Sequence, residues 1–198
     1  MTVIKDGTGT GFLAKVDDEN FLHTSARTFS MATYVSANNE LVFAVTGTTT
    51  IPAGAAVEKT ILVLINNATS TQTIAIQSVI ASIQGDPGQP ATFKAYLGKR
   101  TYSSGGTLVT PTNLNAGSPN TLDVTVAADN PTLGGTDTFF AQVFFELTLT
   151  GEFVINGLII LPPSGSLRGT VTGSGAATGG KIASIVIEYF AIDTLSIS

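Results

Sequence analysis

The sequence holds a single histidine, His23, and no cysteine. General-base and nucleophilic chemistry near neutral pH commonly rests on one of these two side chains. His23 lies in Phe21-Leu22-His23-Thr24-Ser25. Ser25 is two positions away, on the same side of an extended strand. A nucleophile, its base and an orienting group must instead converge in space. No Gly-x-Ser-x-Gly elbow occurs in the chain. His23 therefore reads as an ordinary surface or interface residue. Gly7-Thr8-Gly9-Thr10-Gly11 has the glycine density of a phosphate cradle. It lacks the Gly-Lys-Ser/Thr ending of a P-loop, and no helix pattern follows it, so a turn is the better reading.

Carboxylates are the remaining candidates. Glycoside cleavage needs two at a fixed separation. Asp86, Asp123, Asp129, Asp137, Glu146, Glu152 and Glu188 each fall in a turn or at a single outward strand position. Sugar-stacking aromatics are sparse, with no Trp and four Tyr. Asp17-Asp18-Glu19-Asn20, or Asp129-Asn130 with Asp137, would supply oxygen ligands for calcium. Neither has the loop spacing of an EF-hand, and Asp and Asn favour turns on their own account. Asn67-Ala68-Thr69 has the form of a glycosylation acceptor. Without a charged n-region and apolar h-region ahead of it, it reads as the tip between two strands. The expectation is a protein that is not an enzyme, with no catalytic, cofactor or metal site.

Composition points the same way. Of 198 residues only 12% are charged, about half the usual share. Mean hydropathy is +0.34. Gly, Ser and Thr fill the polar positions, and a surface poor in charge is poorly protected against association. Net charge is −5, with no basic stripe, so nucleic acid is not an expected partner. No apolar run approaches the ~18 residues of a membrane helix, so no membrane is expected either. The lack of cysteine excludes disulfides and fits assembly in a reducing cytoplasm.

From Met31 onward the apolar residues recur with the strand period of two. In residues 138–150 Phe139, Ala141, Val143, Phe145, Leu147 and Leu149 fall on one face. Phe140 and Phe144 fall on the other. Each would gain about 1.5–3 kcal/mol from burial, so both are expected to be covered between subunits. Further strands are expected at 41–45, 60–65 (apolar on both faces), 73–83, 92–97, 121–126, 153–161, 167–171 and 182–192. Ile51-Pro52-Ala53-Gly54 and Leu161-Pro162-Pro163-Ser164-Gly165 read as corners where the chain changes sheet. Eight or more strands at short spacing predict an all-β protein. We expect one antiparallel β-sandwich of the jelly-roll kind over 31–198.

Residues 1–30 differ. Their short apolar pieces, Val3, Ile4, Phe12, Leu13, Val16, Phe21 and Leu22, alternate with Gly-Thr and Asp-Glu-Asn turns. None closes a core alone, so the segment is expected to be an extended arm that binds a partner. Strand addition by Val3-Ile4 or Ala14-Lys15-Val16 would use main-chain hydrogen bonds.

The opening Val3-Ile4-Lys5-Asp6-Gly7-Thr8-Gly9, then Leu13-Ala14-Lys15-Val16-Asp17, Asn20 and Leu22-His23-Thr24, resembles that of tailed-bacteriophage virion proteins. So do Ile61-Leu62-Val63-Leu64-Ile65-Asn66-Asn67-Ala68-Thr69-Ser70 and the closing Leu161-Pro162-Pro163-Ser164-Gly165-Ser166 with 185–192. The resemblance implies a jelly-roll structural protein of head decoration, neck or tail, sometimes likened to the tumour-necrosis-factor fold. It implies a homotrimer, assembled in the bacterial host cytoplasm, that binds the major capsid protein or a neighbouring virion protein. The first expectation is a capsid decoration or cement protein. Neck, collar or tail placement and a glycan-binding virion module are the alternatives. The resemblance carries no catalytic residue.

Overall fold

The computed structural model describes residues 15–16, 22–23, 41–51, 57–84, 90–145, 150–173 and 181–193. The chain divides into two compact units, Met1–Ser30 and Met31–Ser198. In the first, β1 (Lys15–Val16) pairs antiparallel with β2 (Leu22–His23), setting Val16 opposite Leu22. The other arm positions, Val3, Ile4, Phe12, Leu13 and Phe21, lie outside the described residues, as do Gly7–Gly11, Asp17–Asn20 and Ser25.

The second unit contains β3 (Val42–Ile51), β4 (Glu58–Asn66), β5 (Gln72–Gln84), β6 (Ala91–Ser104), β7 (Thr107–Leu108) and β8 (Thr112–Asn113). It continues with β9 (Val124–Ala128), β10 (Thr132–Phe145), β11 (Thr150–Leu161), β12 (Ser166–Gly173) and β13 (Lys181–Asp193). They form two antiparallel sheets, β10-β6-β12-β4-β9-β7 and β11-β5-β13-β3-β8. Set aside β7, β8 and β9, and the two four-strand orders are those of a jelly roll, a double Greek key closed into a sandwich. The segment between β6 and β10 supplies the three extra strands. All three widen the sandwich on the side away from β10 and β11.

The alternation read from the sequence places the core. Phe43 and Val45, Leu62 and Leu64, Ile74 and Ile76, Phe93, Leu167, Ile185 and Ile187 meet between the sheets. Tyr189 stacks on Phe43 with ring centroids 5.9 Å apart. The apolar run 61–65 of β4 is covered on both faces. Its outward Val63 and Ile65 cluster with Ala127 beneath Tyr102 and Leu133. Asn66, fully buried, donates from Nδ2 to the carbonyls of Gln72 at 2.9 Å and Leu161 at 3.0 Å. It thereby ties one sheet to the other. Both proline-marked connections lead from one sheet to the other, from β3 to β4 and from β11 to β12. At the second, the Gly165 N–H donates to the Pro162 carbonyl at 2.7 Å.

One expectation fails. Phe139 does not share the core face of Ala141 and Val143. A β-bulge between Phe139 and Ala141 adds a residue to β10. An extra residue reverses the facing of everything beyond it. Phe139 therefore lies opposite Tyr96 on the outer face, while Val143 opposes the buried Phe93. Leu147 and Leu149 lie outside the described residues.

Candidate interaction surface

The outer face of the six-stranded sheet carries most of the charge chemistry among the described residues. Outward positions alternate along each strand, so register brings Asp137 of β10 opposite Gly98 of β6, next to Ser166 of β12. Gly98 is needed there, because a Cβ would run into the backbone of Thr136 and Asp137. The space it leaves admits two arginines. Arg100 donates to Asp137 from Nε and Nη2, both at 2.8 Å, and from Nη1 to the Gly135 carbonyl at 2.7 Å. Arg168 donates to Asp137 from Nε at 2.6 Å and Nη2 at 3.2 Å. Asp137 is only 4% exposed. Burial disfavours its charge, but the hydrogen bonds and charges of Arg100 and Arg168 outweigh that and hold its carboxyl at about 2.

The network runs across the sheet from there, toward β4. The Arg168 guanidinium lies 4.3 Å over the Tyr96 ring and 3.6 Å from Glu58. Glu58 also accepts from Lys94 at 3.2 Å and from the Tyr96 hydroxyl at 3.1 Å. Burial first, and then the Glu58 charge, push the Tyr96 hydroxyl above its ordinary range. Tyr96 meets Phe139 edge to face at 5.9 Å. The cluster is a fully bonded brace joining β4, β6, β10 and β12.

Beyond the brace is the free edge of β10. Phe139, Phe140 and Phe144 are 47%, 38% and 66% exposed there. Phe140 sits at the bulge and Phe144 faces outward opposite Thr92. Three phenylalanines along a long edge strand are a strong departure from the usual surface, where charged residues and proline blunt such edges.

The other candidate side chains do not converge. Asp129, at φ 56° in the β9–β10 turn, accepts from Thr49 at 2.8 Å. Asp137 is held by its arginines, so the Asp129–Asn130–Asp137 oxygen set does not form one site. Asp123 accepts from Asn67 at 2.7 Å and Thr69 at 2.6 Å, which lowers its pKa. The Asn67-Ala68-Thr69 sequence is thus the β4–β5 turn, latched to the residue before β9. Glu188 accepts from Ser78 at 3.1 Å. Asp86 and Glu146 lie outside the described residues. Tyr102 lies half-buried over Val63 and Ile65 and donates to the Gly105 carbonyl at 3.1 Å, so its ring is not a free sugar-stacking face. Among the described residues no group of three or more His, Asp or Glu side chains gathers as a metal site. No helix among them is long and apolar enough to cross a membrane.

Sequence reasoning selected Phe140 and Phe144 but missed Phe139, because the bulge is not visible in the alternation. It also missed the brace. Arg100 and Arg168 are each more than thirty positions from Asp137. The available signal was parity: both occupy outward positions of their strands, and Arg168 is the single charge in a strand otherwise apolar or hydroxyl-bearing. Scanned against protein-family models the chain matches none, and no curated protein sequence matches it.

Proposed function

We propose that this protein is a non-enzymatic structural subunit that assembles with copies of itself through the β10 edge. In the reading favoured here it is a trimeric jelly roll of a tailed-bacteriophage virion. There it decorates or cements the capsid, with neck, collar or tail placement as the second position. Partners would be further copies and the major capsid protein or a neighbouring virion protein, the latter reached through the arm of residues 1–30. The observation that carries the assembly reading is the row of exposed phenylalanines on β10 beside a rigid ionic brace. A pre-ordered aromatic edge loses little freedom on association, and aromatic anchors dominate interface energetics. The sparse surface charge and the jelly-roll strand order support the same reading. The virion placement rests on the resemblance of the N-terminal and closing segments.

The test is light scattering on the purified chain. A mass three times the 20.3 kDa of one copy is expected. Phe144→Asp should give a soluble single copy, since a charge at the centre of an apolar contact is left unpaired. A single-copy wild type at every concentration, or an unchanged mass for Phe144→Asp, would refute the assembly reading. A map of an intact particle with this jelly roll assigned tests the placement.

A further inference from the structure

A closed ring of three cannot be built from one self-complementary patch. A twofold contact joins a surface to itself and stops at two copies, whereas a threefold ring needs two different surfaces on each subunit. The proposed trimer, on which this inference rests, therefore requires a second surface to receive the β10 edge. We infer that this acceptor is the opposite flank of the sandwich, formed by β7, β9 and the free edge of β3, and that its occupant is the β10 edge of the next copy.

Register places the two surfaces at one level. Phe139, Tyr96, Arg168, Val63, Ala127 and Leu108 form a single row across the six strands, from β10 to β7. Phe139 ends the row on one flank and Leu108, 61% exposed, ends it on the other. At about 4.8 Å per strand the two ends are about 24 Å apart, so they belong to separate contacts. Beside Leu108 is a hollow of about 310 Å³. Thr48, Thr107, Val109, Ala128, Asp129 and Ile182 contribute to its walls, which mix apolar and hydroxyl-bearing side chains with the Asp129 carboxylate, itself bonded to Thr49. Moving along β10 from Phe139 toward Phe144 corresponds, across the sheet, to moving along β9 from Ala127 toward Asp129. That is the direction in which the hollow lies. Copies docked at the same height would set Phe139 against Leu108 and Phe144 toward the hollow.

Charge agrees with this pairing. On the donor flank Lys94, Arg100 and Arg168 outnumber Glu58 and Asp137. On the acceptor flank Asp123 and Asp129 border β9, and the one cation placed there, Lys59, donates to the Thr50 carbonyl on β3 at 3.2 Å, which leaves a net negative flank among the described residues. The strand directions agree as well. In a six-strand antiparallel sheet the two outermost strands run in opposite senses, so β7 of one copy meets β10 of the next in the antiparallel sense.

The absence of cysteine makes a clean test. Gln142→Cys and Thr107→Cys place thiols at exposed positions, the first between the β10 phenylalanines and the second in the wall of the hollow next to Leu108. A short bismaleimide should join a mixture of the two single variants into covalent dimers holding one of each. The double variant should yield covalent trimers, and neither single variant alone should cross-link. Leu108→Asp, or Thr48→Trp to fill the hollow, should abolish the oligomer as fully as Phe144→Asp. Gln142→Cys cross-linking to itself, with Leu108→Asp and Thr48→Trp still fully assembled, would overturn the acceptor assignment and leave assembly through β10 standing as a twofold contact. An assembled wild type whose mixed variants do not cross-link would also overturn the assignment. A wild type that is a single copy in light scattering would overturn the proposed function and this inference together.

Discussion

Asp137→Asn isolates the brace on the six-stranded sheet. The substitution keeps the shape and removes the charge. It leaves one acceptor oxygen where two oxygens receive four guanidinium hydrogen bonds. Arg100 and Arg168 are 21% and 13% exposed, so neither is freely solvated once its partner is lost. Breaking one side of a buried pair costs about 3–5 kcal/mol. Arg100 keeps the Gly135 carbonyl, and Arg168 keeps Glu58 and the Tyr96 ring. The low end, about 3 kcal/mol, is therefore expected. In a domain of this size that lowers Tm by about 6–12 °C. The pH dependence has a fixed sign. A folded-state value of about 2, below the ordinary carboxyl range, means the ionised form stabilises the fold. That stabilisation, on the order of 2 kcal/mol, is complete above about pH 5 and fades as pH falls toward 2. Thermal melts of both proteins followed by near-UV circular dichroism from pH 7 to 2.5, at one concentration, should show a wide gap that closes at the acid end. Equal melting at pH 7, or a gap that stays constant to pH 2.5, would refute the idea that the charge of Asp137 holds this face together.

Two further substitutions probe the sandwich itself. The Tyr189 hydroxyl is buried with no partner among the described residues, and burial pushes it well above its ordinary range. Tyr189→Phe should stabilise by about 1 kcal/mol in urea unfolding, by removing an unsatisfied polar group; a loss of similar size would show that the hydroxyl is bonded. Gly98→Ala should cost about 1–3 kcal/mol by overpacking against β10. Hydrogen exchange should then speed up in β10 and leave β13 unchanged, and uniform acceleration across both strands would contradict the local account.

Much of the fold is legible because a two-residue period survives wherever a strand has one buried face. Phe93, Ala95 and Leu97, or Ile185 and Ile187, announce their facing directly, and the double-sided burial of 61–65 follows from its lack of polar residues. The failure at Phe139 is instructive. A bulge is one added residue, and the phenylalanines on both sides of it make either parity look acceptable. The short strands β7 and β8 are silent for a different reason. At two residues each, their pairing is fixed by neighbours and not by any pattern of their own. The brace was hidden because it depends on which strands are adjacent. Chain order places β12 far from β6, while the jelly roll sets them side by side.

The position of β13 has a temporal consequence. It separates β3 from β5 and hydrogen-bonds to both along most of its length. On a ribosome those two neighbours emerge long before the strand that must join them. Until it arrives, Phe43, Val45, Ile74 and Ile76 belong to a sheet with a missing centre. Such distant pairings are slow to form. Emergence of β13, and not the appearance of each successive hairpin, should therefore set the moment at which this sandwich closes.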